Sequence, residues 1–139
     1  MSLPVALDTT VLVRLLTNDN AEQARLAADL IDTSVGCFVP ITVVLELEWV
    51  LRGAYRLPRE AVIQAVEGLM AIRQVHVEQE ELVRRALGWH RQGMDFADAM
   101  HLARSEGCGV MVSFDRSFAS LVADLKLSPS VMAPPDALT

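Results

Sequence analysis

Four acidic residues, far apart along the chain, each stand where a short apolar run meets a helical stretch: Asp8, Glu46, Asp98 and Asp115. Asp8 closes the run Val5-Ala6-Leu7, and Asp115 follows Val110-Met111-Val112-Ser113-Phe114. Glu46 and Asp98 lie inside otherwise apolar helical stretches, where a carboxylate costs desolvation free energy unless something pairs with it. A fold that gathers such carboxylates at one edge of a sheet has assembled oxygen ligands for a hard divalent cation. The chemistry this pattern suggests is metal-dependent attack on a phosphodiester.

Each residue also has a plainer reading. Asp and Thr are good helix caps, so Asp8, followed by Thr9 and Thr10, explains itself equally well as the start of a helix. Thr10 adds a hydroxyl able to orient a carboxylate or a bound water, which tilts Asp8 towards a site. In Val43-Val44-Leu45-Glu46-Leu47-Glu48-Trp49-Val50-Leu51 the two glutamates are two positions apart and point in different directions. Trp49 and Val50 lie beside Glu46, so Glu46 is assigned to the site and Glu48 to solvent. Asp95 with Asp98 three residues on resembles a capping box with Asp in place of Glu or Gln. That accounts for Asp95 better than for Asp98, which shares a face with His101 one turn later; His101 is taken as a neighbour. Asp115 also has a cap reading, but two acids at strand ends and two within apolar helices favour chemistry jointly.

The elements that would position these groups alternate between strand and helix. Strands are expected at Val5–Asp8, Cys37–Val39, Val75–Val77 and Val110–Phe114, with a possible edge strand over Leu127–Met132 where Pro129 is tolerated. Helices are expected over Thr9–Thr17, from an Asn20 or Asp19 cap to about Ile31, and from Ile41 or Thr42 through Leu51. Further helices are expected over Arg59–Arg73, Glu80 to about His90, Asp95–Ser105 and Arg116–Ala123. This alternation predicts an α/β fold: a central, mostly parallel sheet of four to five short strands flanked by helices. In such sheets ligands bind beyond the carboxyl ends of the strands, where Asp8 and Asp115 fall.

The composition bounds the rest. At 139 residues the chain is read as a single domain over 1–139, with an irregular tail from about 133. Hydrophobic residues make up 52% and aromatic ones 5%, which predicts an aliphatic core and argues against disorder. No apolar run is long enough to span a bilayer, and Asp8 and Arg14 interrupt the stretch a secretion signal would need. Cys37 and Cys108 form no ligand cluster and are expected as reduced, buried thiols in a cytoplasmic protein. A net charge of −6 argues against gripping nucleic acid by bulk electrostatics, though not against a nuclease whose carboxylates bind metal. Lys126 is the one lysine among twelve basic residues; arginine suits bidentate phosphate contacts, but genome composition explains the bias as readily.

Four segments in order resemble the PIN-domain family, in particular its VapC-type toxin ribonucleases. They are Leu7-Asp8-Thr9-Thr10-Val11-Leu12-Val13-Arg14, Val44-Leu45-Glu46-Leu47-Glu48-Trp49-Val50-Leu51, Asp95-Phe96-Ala97-Asp98-Ala99-Met100-His101-Leu102-Ala103 and Val112-Ser113-Phe114-Asp115-Arg116-Ser117-Phe118. The resemblance implies a metal-binding, catalytic set of Asp8, Glu46, Asp98 and Asp115, supported by Thr10, Ser113 and Asp95. Thr10 stands where the family often has Asn or Ser. The resemblance further implies Mg²⁺ or Mn²⁺, endonucleolytic cleavage of RNA, a homodimer and a small antitoxin that blocks the site. A docking surface for that partner is expected on the helix Ile41–Leu51 and the helix from Arg59, with Arg52, Arg56 and Arg59 between them. Two alternatives remain: a non-catalytic partner-binding module on the same scaffold, and a nuclease without an antitoxin. A phosphatase of the haloacid-dehalogenase type would need a second Asp where Thr10 stands, and a receiver domain fails for similar reasons.

Overall fold

Residues 3–134 are described in the computed structural model. The chain forms two compact units, one ending at Glu80 and the other beginning at Glu81. Among the described residues there are seven helices and five strands, in the alternating order that the sequence pattern predicts.

The first unit holds a three-stranded parallel sheet in the order β1 (Val5–Ala6), β2 (Cys37–Val39), β3 (Val75–Val77). Val5 pairs with Cys37, and Cys37 with Val75. Parallel neighbours need a crossover. Here α1 (Thr9–Thr17) and α2 (Ala21–Thr33) link β1 to β2, while α3 (Ile41–Gly53) and α4 (Arg59–Met70) link β2 to β3. Asn20 caps α2 by accepting from the Gln23 N–H. Pro58 stands just before α4, which ends at Met70 rather than at Arg73 because the Ala71 N–H already turns back to the Glu67, Gly68 and Leu69 carbonyls.

In α3 the buried stripe is Val44, Leu47, Glu48 and Leu51, a spacing of three and four that sets one helix face against the core. Cys37, Val39, Ile63, Val66 and Leu69 complete that core without exposure to solvent. The aliphatic interior expected from composition is therefore present.

The second unit carries α5 (Glu80–Arg91), α6 (Phe96–Arg104), β4 (Val110–Val112), α7 (Arg116–Asp124) and β5 (Ser130–Met132). β4 and β5 pair in parallel through α7, with Met111 opposite Val131. The five strands are thus hydrogen-bonded in ladders of three and two. Gly93 takes φ of 115° in the turn between α5 and α6, a backbone state that a side chain would strain. Buried beside that turn, the His90 ring lies 2.6 Å from the Met94 carbonyl oxygen through Nδ1 and meets Phe96 edge-on.

Some boundaries differ from expectation. β1 and β4 are shorter than the apolar runs that contain them, because Leu7 and Ser113 each add only one further ladder bond, Leu7 N–H to Phe38 O and Ser113 N–H to Met132 O. β5 is the C-terminal part of the expected edge segment and follows Pro129. Ala133 and Pro134 are irregular, as expected, and the remainder of the expected tail, 135–139, lies outside the described residues. Cys37 is buried but Cys108 is exposed, in the Gly107-Cys108-Gly109 segment where no helix or strand covers it. Among the described residues no helix is long and apolar enough to cross a membrane.

Candidate active site

The assigned carboxylates fall two in each unit. In the first, Asp8 occupies the N-cap position of α1, with extended backbone angles, yet its side chain makes no capping hydrogen bond. The plain reading of Asp8 as a helix cap is therefore not realised. Its Oδ2 instead accepts a weak hydrogen bond from the Thr10 hydroxyl at 3.4 Å. Asp8 and Thr10 are both exposed at the carboxyl end of β1.

Glu46 is reached from α1 across 37 residues: the Thr9 hydroxyl donates to Glu46 Oε1. Thr9 itself is buried, so one buried hydroxyl fixes one exposed carboxylate. Through this contact Thr9 joins the candidate site, and sequence reasoning missed it. The signal was available, since Thr9 immediately follows Asp8, but only the packing of α1 on α3 shows which threonine faces Glu46. Thr9, Thr10 and Glu46 line a cavity of about 350 Å³ together with Val13, Arg14, Val50, Ala54 and Tyr55.

The exposure expected of the two glutamates is reversed. Glu48 is only 4% exposed, whereas Glu46 faces solvent. The cause is visible one turn on: Arg52 Nε donates to Glu48 Oε2 at 2.7 Å, so the buried carboxylate has its countercharge. Glu46 has no such cation four residues away and sits at the cavity instead. Of the two neighbours that pointed to Glu46, Val50 lines the cavity with it and Trp49 is exposed.

In the second unit, Asp95 caps α6 by accepting from the Asp98 N–H at 3.2 Å, as the capping-box reading has it. Asp98 is half-buried, and neither of its carboxylate oxygens is hydrogen-bonded among the described residues. Burial holds its pKa above the ordinary carboxylate range, the negative charges of Asp95 and Asp115 raise it further, and His101 pulls it back slightly. Asp115 does act as a cap: Oδ1 accepts from the Ser117 hydroxyl at 2.7 Å and from the Phe118 N–H at 3.0 Å. These bonds, the Ser117 hydroxyl foremost, hold its pKa below the ordinary value. Oδ2 keeps its lone pairs free among the described residues. Ser113 supports this carboxylate through the backbone, its hydroxyl accepting from the Asp115 N–H at 3.0 Å.

The donors are all hard oxygens, and beyond burial the negative charges of Asp95 and Asp115 raise the proton affinity of Asp98. A bound divalent ion relieves that repulsion, so the residues fit Mg²⁺ or Mn²⁺ in kind. Among the described residues no three His, Cys, Asp or Glu side chains form a group able to hold a metal alone. The fit is to an ion that retains several waters and takes one or two carboxylates directly, as Mg²⁺ does.

The family model of the PIN domain matches residues 5–123, and the chain belongs to that family. Among curated proteins it is similar to the VapC ribonuclease of Aquifex aeolicus, 30% identical over 122 residues that cover 83% of this chain and 90% of that protein. Among solved structures it matches VapC20 of Mycobacterium tuberculosis, a sarcin-ricin loop cleaving toxin. That match is 21% identical and covers 84% of this chain and 93% of that one, with a TM-score of 0.42.

Proposed function

We propose that this protein is a divalent-metal-dependent endoribonuclease, the toxin of a toxin–antitoxin pair. Its catalytic, metal-binding set is Asp8, Glu46, Asp98 and Asp115, with Thr10, Ser113 and Asp95 in support. The observation that carries the reading is the likeness to a VapC ribonuclease across 83% of the chain. It is supported by Asp8 standing at a helix start without capping it, and by an Asp98 carboxylate surrounded by like charge. The matched segment 5–123 runs through both compact units, which supports their acting as one nuclease domain.

A bound Mg²⁺ or Mn²⁺ supplies an activated water and neutralises charge on the phosphate. The protein's own part is to hold and aim. Thr9 locks the Glu46 carboxylate in one rotamer, and Thr10 restrains Asp8. The Ser117 hydroxyl and the Phe118 N–H keep Asp115 ionised, its Oδ2 free to accept. Asp98, whose proton affinity burial raises, is the group best suited to take a proton from an attacking water.

Cytoplasmic location, a homodimer and a small antitoxin belong to the same proposal. Trp49, 64% exposed on α3, gives the expected docking helix an apolar anchor. Arg52, expected in that docking region, is committed to Glu48 instead. The test is to incubate purified protein with structured RNAs and Mg²⁺ or Mn²⁺, with and without EDTA, alongside Asp8→Asn. Metal-dependent cleavage lost in Asp8→Asn is expected. Cleavage that EDTA leaves untouched, or that Asp8→Asn retains in full, overturns the metal mechanism. For the pairing, expression alone should slow growth and co-expression of a gene-neighbour partner should restore it.

A further inference from the structure

The 350 Å³ cavity on which Glu46 opens has a second end, and its chemistry is opposite. There the Arg14 guanidinium is pinned from three sides: Nε donates to Gln23 Oε1 at 2.7 Å, Nη1 to Asp19 at 3.0 and 3.1 Å, and Nη1 to the Tyr55 hydroxyl at 3.2 Å. Tyr55 in turn donates to Asp19 Oδ2 at 2.5 Å, and the Thr17 hydroxyl donates to Asp19 Oδ1 at 3.0 Å. Asp19 is thereby fully engaged and held well ionised, and its charge raises the Arg14 pKa. The remaining Arg14 nitrogen, Nη2, has no partner among the described residues, and the side chain remains about one-third exposed.

An arginine held rigid by a carboxylate, an amide and a phenol, with one edge of its fork left open, is preorganised for an anion. It has little rotamer entropy left to lose on binding. Thr9, which holds Glu46, and Arg14 are five residues apart on α1. That is about 7.5 Å along the helix axis, and both residues line the one cavity. Thr10 lines the wall of the same cavity.

We propose that this cavity is a subsite for the nucleotide adjoining the scissile bond of single-stranded RNA. In it the Arg14 Nη2 edge binds the neighbouring phosphate, and Tyr55 and Asp19 act as positioning residues that aim it. The proposal rests on the ribonuclease reading and extends it to substrate placement.

The test compares wild type, Arg14→Gln, Asp19→Asn and Tyr55→Phe. Cleavage kinetics are read on a short fluorophore–quencher RNA of randomised sequence, binding by anisotropy of the same RNA without its quencher, and Mn²⁺ affinity by titration. Loss of one charge-assisted contact should raise KM about tenfold in Arg14→Gln, equivalent to about 1.4 kcal/mol, with kcat within about twofold and Mn²⁺ affinity unchanged. Tyr55→Phe, which keeps the cation and loosens its aim, should raise KM less. Asp19→Asn covers the case in which Arg14→Gln fails to fold. If wild type cleaves and all foldable variants keep its KM, the subsite is wrong and the ribonuclease reading survives. A fall in kcat at constant KM also overturns the subsite, since the network would then serve the chemistry. If wild type binds the RNA but does not cleave it, and Arg14→Gln abolishes binding, the subsite stands and the nuclease fails. Absence of RNA binding by wild type overturns both.

Discussion

Glu46 and Glu48, two residues apart on α3, should fail in different ways when altered. Glu48 is 4% exposed and its carboxylate is paired with Arg52 at 2.7 Å. Stripping the partner from a fully buried pair costs about 3–5 kcal/mol. The Arg52 side chain is 47% exposed, so the pair is already partly screened and water can reach the place it vacates; about half that cost is expected, about 2 kcal/mol. For a chain of this size that corresponds to a Tm lower by about 6–8 °C in Arg52→Met, which keeps most of the aliphatic stem in place. The double variant Glu48→Leu, Arg52→Met removes both charges and fills the site, and should recover to within about 1 kcal/mol of wild type. Glu46→Gln should behave oppositely. It is exposed and can still accept from Thr9, so its stability should change by no more than about 0.5 kcal/mol, while metal-dependent cleavage is lost. Thermal unfolding followed by circular dichroism on the four-member cycle, with cleavage assays on the same preparations, reads both. An unchanged Tm in Arg52→Met, or a Glu46→Gln protein that unfolds early and still cleaves, would show that the helix register assigned to α3 is wrong.

Other outcomes follow from single contacts. Thr9→Val is nearly isosteric and loses only the hydroxyl bound to Glu46; cleavage should fall at least about tenfold, the worth of one charge-assisted hydrogen bond, with far-ultraviolet dichroism unchanged, and full activity would remove Thr9 from the site. Leu47→Ala, at a position with no solvent exposure, should destabilise by about 2–5 kcal/mol, read by urea unfolding. Asp19 has its pKa lowered below 3.8, chiefly by the Tyr55 hydroxyl. A depressed carboxylate stabilises the fold above its unfolded pKa and loses that effect as pH falls through its folded one. Wild type and Asp19→Asn should therefore differ in Tm at neutral pH and converge only below pH 3.8; a gap that persists unchanged well below pH 3.8 would mean the Asp19 charge contributes nothing.

The sequence by itself determined the succession of strands and helices, because period-two and period-three-to-four apolar patterns are local and need no partner to be read. It also singled out the candidate acids, the Asp95 cap, and a cap at Asp19 or Asn20, because cap bonds close within three residues. The buried stripe Val44, Leu47, Leu51 even contained Glu48 in its register, with Arg52 one turn on to neutralise it, although neighbour composition pointed the other way. What only the tertiary structure decided are contacts between groups far apart in the chain. Whether Asp8 spends its oxygens on a cap, as Asp115 does, depends on local rotamers that composition does not encode. That Thr9 rather than Thr10 reaches Glu46, and that Tyr55 closes on Arg14 across 41 residues, depends on how α1 lies on α3. Helix packing is set by the summed fit of many apolar side chains, none of which names the polar pair that the fit brings within hydrogen-bonding distance.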